Sequence, residues 1–419
     1  MINKVKNQTG LFYGWWIVAA AFAMSFIYSG FYFWAFTLFV TPMQAEIASI
    51  ENHIGPAFLI AGIVGAILAP ISGNIFDKRG PKLVVGVGMI CGGLGFALMG
   101  FMQEIWHFYL GLSLAGIGPI VIWGGAIPSV ANWFNVFRGR AIGITTAGLG
   151  LGGLLTTPSL ILINQFGWRS TFLLMAIAIW IIILPLTMIL RRRPEDYGMF
   201  EDGIQGKTDT EEEVEGLFFL QAMKSKTFWA IAGIFSLAFW PIGSLQIYQS
   251  PFMESVGFTR SVAASTVGIM AIITVVGRIG GGWLADTIDP RKATTLALSL
   301  QALGIIIFAF VTPDLGWLLI IFLVAFAPGF GAITVLQPAL LAGYFGRRSF
   351  GAIQGILWTA TSFAFSLAPI VLTWIASFFN DNLSPGFAIF GVLSAIGAVL
   401  VIILPKVILL TSQTQEMPK

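Results

Sequence analysis

Long uninterrupted apolar segments are the feature that most constrains the fold of this chain. Most run for about twenty residues or more, roughly the length that an α-helix needs to cross the hydrocarbon core of a bilayer. A transmembrane β-barrel would instead need strands of about ten residues with alternating polarity. We count twelve such segments, at residues 12–41, 54–76, 82–102, 106–134, 141–166, 169–190, 227–253, 261–285, 293–312, 315–345, 350–379 and 385–405. The chain is therefore predicted to be an all-α membrane protein with twelve transmembrane helices.

The composition excludes most classes of soluble protein. Of the 419 residues, 57% are hydrophobic and only 10% are charged, whereas soluble domains are about 25% charged. So few charges cannot cover a surface that faces water, and we expect a bilayer around the protein and no nucleic-acid partner. The single cysteine, Cys91, cannot form an intrachain disulfide. No cluster of His, Cys, Asp and Glu has metal-ligand spacing and no nucleophile–base set is visible, so we expect no metal, no cofactor and no enzyme activity.

A long polar stretch divides the apolar segments six and six. It opens with Arg191-Arg192-Arg193-Pro194 and contains an acidic run at 211–213. Proline ends a helix, and mixed charge resists burial. We therefore predict a six-helix half at residues 1–190, a loop at 191–226 and a second six-helix half at 227–419.

The placement of basic residues predicts the orientation in the membrane. With the N-terminus in the cytoplasm, 19 of the 22 basic residues fall on the cytoplasmic side and two, Arg169 and Arg260, fall on the other. This bias is the positive-inside pattern of membrane proteins. We expect a multi-pass monomer in the cell (inner or plasma) membrane, with both termini and the 191–226 loop in the cytoplasm.

The two halves share a loop motif. The run from Gly73 to Lys82 places Asp77 four residues after a glycine and five before a basic residue, and the run from Gly282 to Arg291 repeats this spacing around Asp286, 209 residues later. Pro128 and Pro338 differ by a similar offset. A parallel repeat about an axis along the membrane normal is one arrangement used by alternating-access carriers.

The first copy of this loop resembles the Gly-x3-Asp-[Lys/Arg]-x-Gly-x-[Lys/Arg] signature of the major facilitator superfamily. The run from Trp133 to Gly152, with its Arg, Ala-x-Gly and Ala-Gly elements, is similar to a pattern of monocarboxylate transporters and of the bacterial oxalate–formate antiporter. The resemblance implies that Asp77, Arg79 and Asp286 act in gating, with the loop aspartate meeting a helix N-terminus of the other half. The alternative is that the basic residues of this loop serve only to fix the orientation of the protein in the membrane.

Arg278 is the one basic residue that lies within a predicted span. It precedes Asp286, at the end of its helix, by eight residues, or about 12 Å, against a hydrocarbon half-thickness of ~15 Å. An arginine near the bilayer centre costs at least ~2.5–3.5 kcal/mol on insertion scales. By the resemblance, an arginine at this spacing binds the substrate carboxylate. The alternative is an arginine that caps the carbonyls of a broken helix.

Two positions differ from the related families. Thr274 stands where many monocarboxylate transporters have an aspartate that takes part in proton coupling, and Thr361 stands where the antiporter has a lysine three residues after a tryptophan. A single fixed positive charge favours a monoanion over a dianion. The missing aspartate weakens proton symport without excluding it, because a proton can travel on the acid form of the substrate.

Polar and aromatic residues of the spans that face the pocket in the related fold are candidates for the remaining site. The predicted substrate-binding residues are Arg278, Tyr32, Trp123, Gln246, Tyr248, Thr334, Gln337, Trp358 and Thr361. Tyr28, Trp34, Thr145 and Gln354 are further polar or amphipathic residues of these spans. For each aromatic residue the alternative is a packing or lipid-facing role.

The expected function is secondary active transport of small organic anions, chiefly monocarboxylates such as lactate, pyruvate or formate, by alternating access. Proton symport and anion exchange both stay open, with a proton as the possible co-substrate. The alternative is a related porter for an inorganic anion, a dicarboxylate such as oxalate, or a drug. Nitrate porters typically carry a second arginine in the second span, and residues 53–76 contain none. Drug exporters usually carry an intramembrane carboxylate, and none lies deep in a predicted span.

Overall fold

A computed structural model describes residues 12–47, 50–203 and 216–405, and its regular elements are helices. The long helices are α1 (Tyr13–Glu46), α2 (Glu51–Arg79), α3 (Pro81–Gly100), α4 (Ile105–Trp133), α5 (138–166), α6 (168–187), α7 (Lys226–Ser255), α8 (Arg260–Thr287), α9 (Pro290–Phe308), α10 (Leu318–Phe345), α11 (Phe350–Ser377) and α12 (Ser384–Ile403). The predicted all-α membrane class is confirmed.

A single glycine separates α5 from α6. Eleven helical segments are long and apolar enough to cross a membrane, and one of them, Arg138–Thr187, has 50 residues. Gly167 interrupts this segment with φ +79°, a left-handed conformation that glycine adopts without the Cβ penalty. The chain turns there, so the described helices supply twelve spans.

The helices form two bundles, α1–α6 (the first bundle) and α7–α12 (the second bundle). The bundles meet mainly along two helix pairs, α2 against α11 and α5 against α8. Glycines allow this close approach: a Cβ added to Gly143 would lie 2.7 Å from the backbone oxygen of Arg278, and one added to Gly355 would lie 2.6 Å from that of Ala69. The predicted boundaries at residues 190 and 227 stay a prediction, and residues 1–11, 204–215 and 406–419 lie outside the described part of the chain.

Three helices of the first bundle widen locally into π-turns, one of them at Ile179–Ile183 in α6. Gly30–Trp34 forms one in α1 and contains Tyr32; Ile122–Ala126 forms one in α4 and contains Trp123. A π-turn inserts one residue into an α-helix and is frequent at functional sites. Both predicted aromatic site residues of this bundle therefore lie on locally distorted helix.

Apolar side chains cover the outer surface of the bundles. Ile67, Val276 and Ile402 are each at least 60% exposed, as expected for side chains that face lipid tails. A groove of about 630 Å³ also opens outward, between α7 and α12 and beside Lys226. None of the predicted site residues lines this groove, so it is a feature of the lipid-facing surface and separate from the candidate site.

Candidate functional site

Arg278 lies buried inside α8, and the neighbouring glycines make room for it. Its Nη1 donates a hydrogen bond of 3.0 Å to the backbone oxygen of Thr146 on α5. A Cβ on Gly150, one turn along α5, would lie 2.9 Å from the same nitrogen. The guanidinium carbon is 5.9 Å from the centre of the Phe330 ring on α10, within cation–π range. The arginine thus sits where helices of both bundles meet.

The charge of Arg278 has no acidic partner in the part of the chain that the structure describes. The ion pairs there join other residues, and the Arg278 Nε has no hydrogen-bond partner. A buried guanidinium with unused donors is chemically able to bind a carboxylate, because its planar fork can donate two parallel hydrogen bonds. Its side chain is only 6% exposed in this conformation.

Trp123 and Trp358 meet across the boundary between the bundles. Trp123 lies on α4 and Trp358 on α11, and their ring centres are 4.7 Å apart with an interplanar angle of 18°. Phe239 of α7 packs edge-on against Trp358 with 6.4 Å between ring centres. The stacked indoles fill the space between α4 of the first bundle and α11 of the second.

The predicted polar residues of α10 and α11 are all buried but differ in their bonding. Thr334 donates to the Gly331 carbonyl at 2.7 Å, and Thr361 donates to the Leu357 carbonyl at 3.1 Å, so each hydroxyl is bonded within its own helix. Gln337 is fully buried, and neither atom of its amide finds a partner among the described residues. A buried amide without partners is rare in folded proteins, which makes Gln337 a candidate ligand contact.

The structure does not bring the other predicted residues together with the tryptophan pair. Gln246 is exposed and Tyr248 is half-buried on α7, whereas Gln249, three residues after Gln246, is buried. Tyr32 is buried and packs against Tyr28, whose hydroxyl donates to the Ala115 carbonyl at 2.5 Å. The substrate-binding role of Gln246 stays a prediction.

Both motif aspartates contact a helix N-terminus of the other bundle. Asp77, at the end of α2, accepts hydrogen bonds from the backbone N–H groups of Gly351 (3.0 Å) and Ala352 (2.8 Å) on α11. Asp286, at the end of α8, accepts from Gly139 (2.5 Å) and Arg140 (2.9 Å) on α5. We call these contacts the α2–α11 latch and the α8–α5 latch.

The latches exploit the unpaired N–H groups of a helix start. The first N–H groups of a helix lack intrahelical partners and carry the positive end of the helix dipole, which favours a carboxylate there. The Arg140 side chain adds an ion pair to the α8–α5 latch, with 3.6 Å between its Nε and an Asp286 oxygen. Arg79 is exposed and makes no hydrogen bond or ion pair with a described residue, although the resemblance gave it a gating role.

A third connection between the bundles, at the end where the two latches lie, was not predicted. Arg347, between α10 and α11, donates to the Asn132 carbonyl of the first bundle at 2.7 Å and forms ion pairs with Glu195 and Glu201 in the segment that follows α6. Burial raises the pKa of Glu201, and the Arg347 charge opposes that shift. The nearby Arg193 donates to the Arg347 carbonyl. These contacts tie the central segment to both bundles.

The central segment is anchored on both sides of residues 204–215. Asp202 accepts hydrogen bonds from the backbone N–H groups of Asn135 (2.9 Å) and Val136 (2.7 Å), which precede α5. On the far side, Leu217 donates to the Phe345 carbonyl at 2.9 Å. The sequence offered no signal for these contacts beyond the acidic character of the loop.

A buried cation lies at the meeting point of two six-helix bundles, and polar contacts join the bundles at one end. Together with the family and the relatives given next, this arrangement identifies a multi-pass membrane transporter. The Major Facilitator Superfamily model matches residues 21–367. The chain therefore belongs to the Major Facilitator Superfamily.

Curated relatives and solved structures agree with this assignment. The chain is 24% identical over 368 residues to the oxalate:formate antiporter of Oxalobacter formigenes, covering 86% of this chain and 85% of that protein. It is 24% identical to monocarboxylate transporter 13 of Rattus norvegicus, covering 100% and 95%. The proton:xylose symporter XylE superposes with a TM-score of 0.73 at 14% sequence identity, over 94% of this chain and 96% of that one. The human organic anion transporter MFSD10 superposes with a TM-score of 0.71 at 13% sequence identity, over 93% of this chain and 99% of that one. These two structures establish a shared fold.

Proposed function

We propose that this transporter carries small monocarboxylates and that Arg278 binds the carboxylate. The observation that supports the proposal is the buried guanidinium of Arg278, which has unused donors and no carboxylate partner among the described residues. A transported anion would compensate this charge during part of the cycle. The relatives are named for small carboxylates, the monocarboxylates in one case and oxalate and formate in the other, which supports a carboxylate as the substrate.

A monoanion is proposed to fit the site better than a dianion, because no second cation is seen beside Arg278 among the described residues. Thr361 occupies the position that a lysine holds in the antiporter, and its hydroxyl is bonded to its own helix. Thr274, one turn before Arg278, donates to the Met270 carbonyl at 2.6 Å and offers no proton-accepting carboxylate. Coupling is therefore proposed to use exchange of anions or a proton carried on the substrate itself.

The latches support alternating access as the transport mechanism. The structure is closed at the end of the bundle that carries the basic loops, where Asp77 and Asp286 bind the opposite bundle. We propose that this end faces the cytoplasm, in keeping with the positive-inside bias, and that a monomer in the cell (inner or plasma) membrane is the working unit. Opening of both latches would expose Arg278 to the cytoplasm.

Uptake into proteoliposomes tests the assignment of Arg278. Arg278→Lys keeps the charge but replaces the planar fork by a point charge on a flexible stem. The expected loss of one charge-assisted hydrogen bond, about 1.5–3 kcal/mol, corresponds to roughly a ten- to hundredfold loss of apparent affinity for lactate or formate. Arg260→Lys is the matched control, since Arg260 begins the same helix and is exposed.

The result separates the proposal from its alternatives. An Arg278→Lys variant with unchanged KM and rate for monocarboxylates would show that the arginine is structural. Uptake of nitrate, oxalate or a cationic drug in place of monocarboxylates would identify one of the alternative porters. Uptake with and without a pH gradient distinguishes proton symport from anion exchange.

A further inference from the structure

Gln354 on α11 is a fully buried amide that the transport site has not yet accounted for. Neither of its amide atoms has a hydrogen-bond partner among the described residues. The side chain borders a narrow void, too small to hold a water molecule, that Trp123 and Trp358 also line. Gln301, a second buried glutamine of the same bundle, instead donates to the Ala238 carbonyl at 2.7 Å. Gln354 shares the fully unpartnered amide with Gln337, and of these two residues Gln354 is the one that lines the void beside the tryptophan pair.

The internal repeat relates this void to the position of Arg278. Ala69, which lines the void, precedes Asp77 by eight residues, as Arg278 precedes Asp286. The local packing repeats as well: Gly355 approaches the Ala69 backbone oxygen as Gly143 approaches that of Arg278. Two positions related by a repeat axis along the membrane normal lie at the same depth on opposite sides of that axis.

The two related walls differ in charge. One wall carries the guanidinium of Arg278; on the other, Ala69 takes the equivalent position and the Gln354 amide is the polar group. An amide donates and accepts hydrogen bonds but cannot compensate a second negative charge. The pair of walls is therefore matched to a ligand that is anionic at one end and polar but uncharged at the other.

Access to Gln354 depends on the tryptophan pair. Trp123 belongs to the first bundle and Trp358 to the second, so any relative movement of the bundles changes the 4.7 Å separation of the stacked rings. Parting the rings would widen the void from the side of the central axis. The amide is covered in the closed conformation and becomes a ligand contact when the bundles move.

We propose that Gln354 binds an uncharged polar substituent, a hydroxyl or an oxo group, at the end of the monocarboxylate remote from Arg278. This inference rests on the proposed function and narrows it, from monocarboxylates in general to hydroxy- or oxo-substituted ones. The amide nitrogen would donate to the substituent, and the amide oxygen would accept from a hydroxyl. Gln354 is then a specificity-determining residue, whereas Arg278 provides the carboxylate affinity.

Competition in proteoliposomes tests the proposal with four acids of one chain length. Uptake of radiolabelled butyrate is measured against unlabelled butyrate and 2-, 3- and 4-hydroxybutyrate. In the wild type, one hydroxy isomer should compete roughly threefold to tenfold better than butyrate, the contribution of one neutral hydrogen bond. Gln354→Met, which keeps the length and removes the amide, should abolish that advantage, so that all three hydroxy isomers compete no better than butyrate does in the same variant. Gln301→Met is the matched control and should keep the advantage.

A second variant keeps the proposal testable if Gln354→Met does not fold. Gln354→Asn withdraws the amide by one methylene and should move the preference to an isomer whose hydroxyl lies farther from the carboxylate. Equal competition by butyrate and all three isomers in the wild type would overturn the role of Gln354, as would an advantage that survives Gln354→Met. Butyrate uptake that depends on Arg278 would still stand in that case, whereas no uptake of any of the four acids would overturn the proposed function as well.

Discussion

Removing the charge of one latch aspartate should shift the transporter toward a conformation in which the two bundles are open at the end where the latches lie. In Asp286→Asn, the side-chain oxygen can still accept one backbone N–H, but the new amide nitrogen faces the other donor. One of the two hydrogen bonds, from Gly139 at 2.5 Å and Arg140 at 2.9 Å, is therefore lost together with the charge that the helix dipole favours.

The size of the shift follows from the bond that is lost. A hydrogen bond to a charged group contributes about 1.5–3 kcal/mol, which is roughly a ten- to hundredfold change in the ratio of closed to open protein. Asp77→Asn removes the equivalent bond to Gly351 or Ala352 and should have an effect of similar size. The two latches share no residues, so the double variant should show about the sum of the two free-energy changes.

Distance measurements between the bundles can detect this change. Val136 precedes α5 in the first bundle and Ile288 follows α8 in the second, and both side chains are exposed. Spin labels at these positions, in a Cys91→Ser background, report their separation by double electron–electron resonance. The single variants should gain a population at longer distance, and the double variant should be dominated by it.

Asp289→Asn supplies the matched control. Asp289 lies three residues after Asp286, but its carboxylate binds Arg291 of its own bundle at 2.7 Å, and these hydrogen bonds hold its pKa below the usual value. Its neutralisation should leave the distance distribution unchanged. A double latch variant with the wild-type distribution, or a control variant that shifts as far as Asp286→Asn, would refute the role of the latches.

Two further changes test the bundle contact and the charge of the site. Gly143→Ala places a Cβ 2.7 Å from the Arg278 backbone oxygen and should hold α5 away from α8, so uptake should fall severalfold while the protein still folds; Gly268→Ala, which meets open space on α8, should transport normally. Thr361→Lys supplies a second cation, and oxalate should then compete better against a labelled monocarboxylate than it does in the wild type. Unchanged relative competition by oxalate would show that position 361 does not face the substrate.

Much of the architecture could be predicted because periodicity and charge are local properties of the sequence. The long apolar segments identified the spans, and the repeated aspartate spacing identified both residues that now contact a helix N-terminus of the other bundle. Their gating role stays a prediction, as does the carboxylate role of Arg278. The third connection, from Arg347 to Glu195 and Glu201, joins residues more than a hundred positions apart, and no sequence spacing records such a contact.

The sequence alone could not decide between neighbouring pocket residues, for a geometric reason. Gln246 and Gln249 are three residues apart, so they lie on adjoining faces of α7, about 60° apart around the helix. The sequence alone does not show which of the two side chains faces the interior of the bundle. In the structure, Gln249 is the buried one. The π-turn around Trp123 adds to the uncertainty, because the inserted residue rotates everything beyond it.

The anchoring of the central segment has a consequence for how the polypeptide can be divided. Asp202 binds the residues just before α5, and Leu217 is paired with Phe345, so described residues on both sides of 204–215 are bound to the bundles. After a break between them, each fragment would keep one of these contacts, and the packed helices would supply the rest of the recognition. Two separately translated polypeptides should therefore reassemble into one working carrier, which makes this loop the natural position for fragment complementation and for inserting a reporter domain.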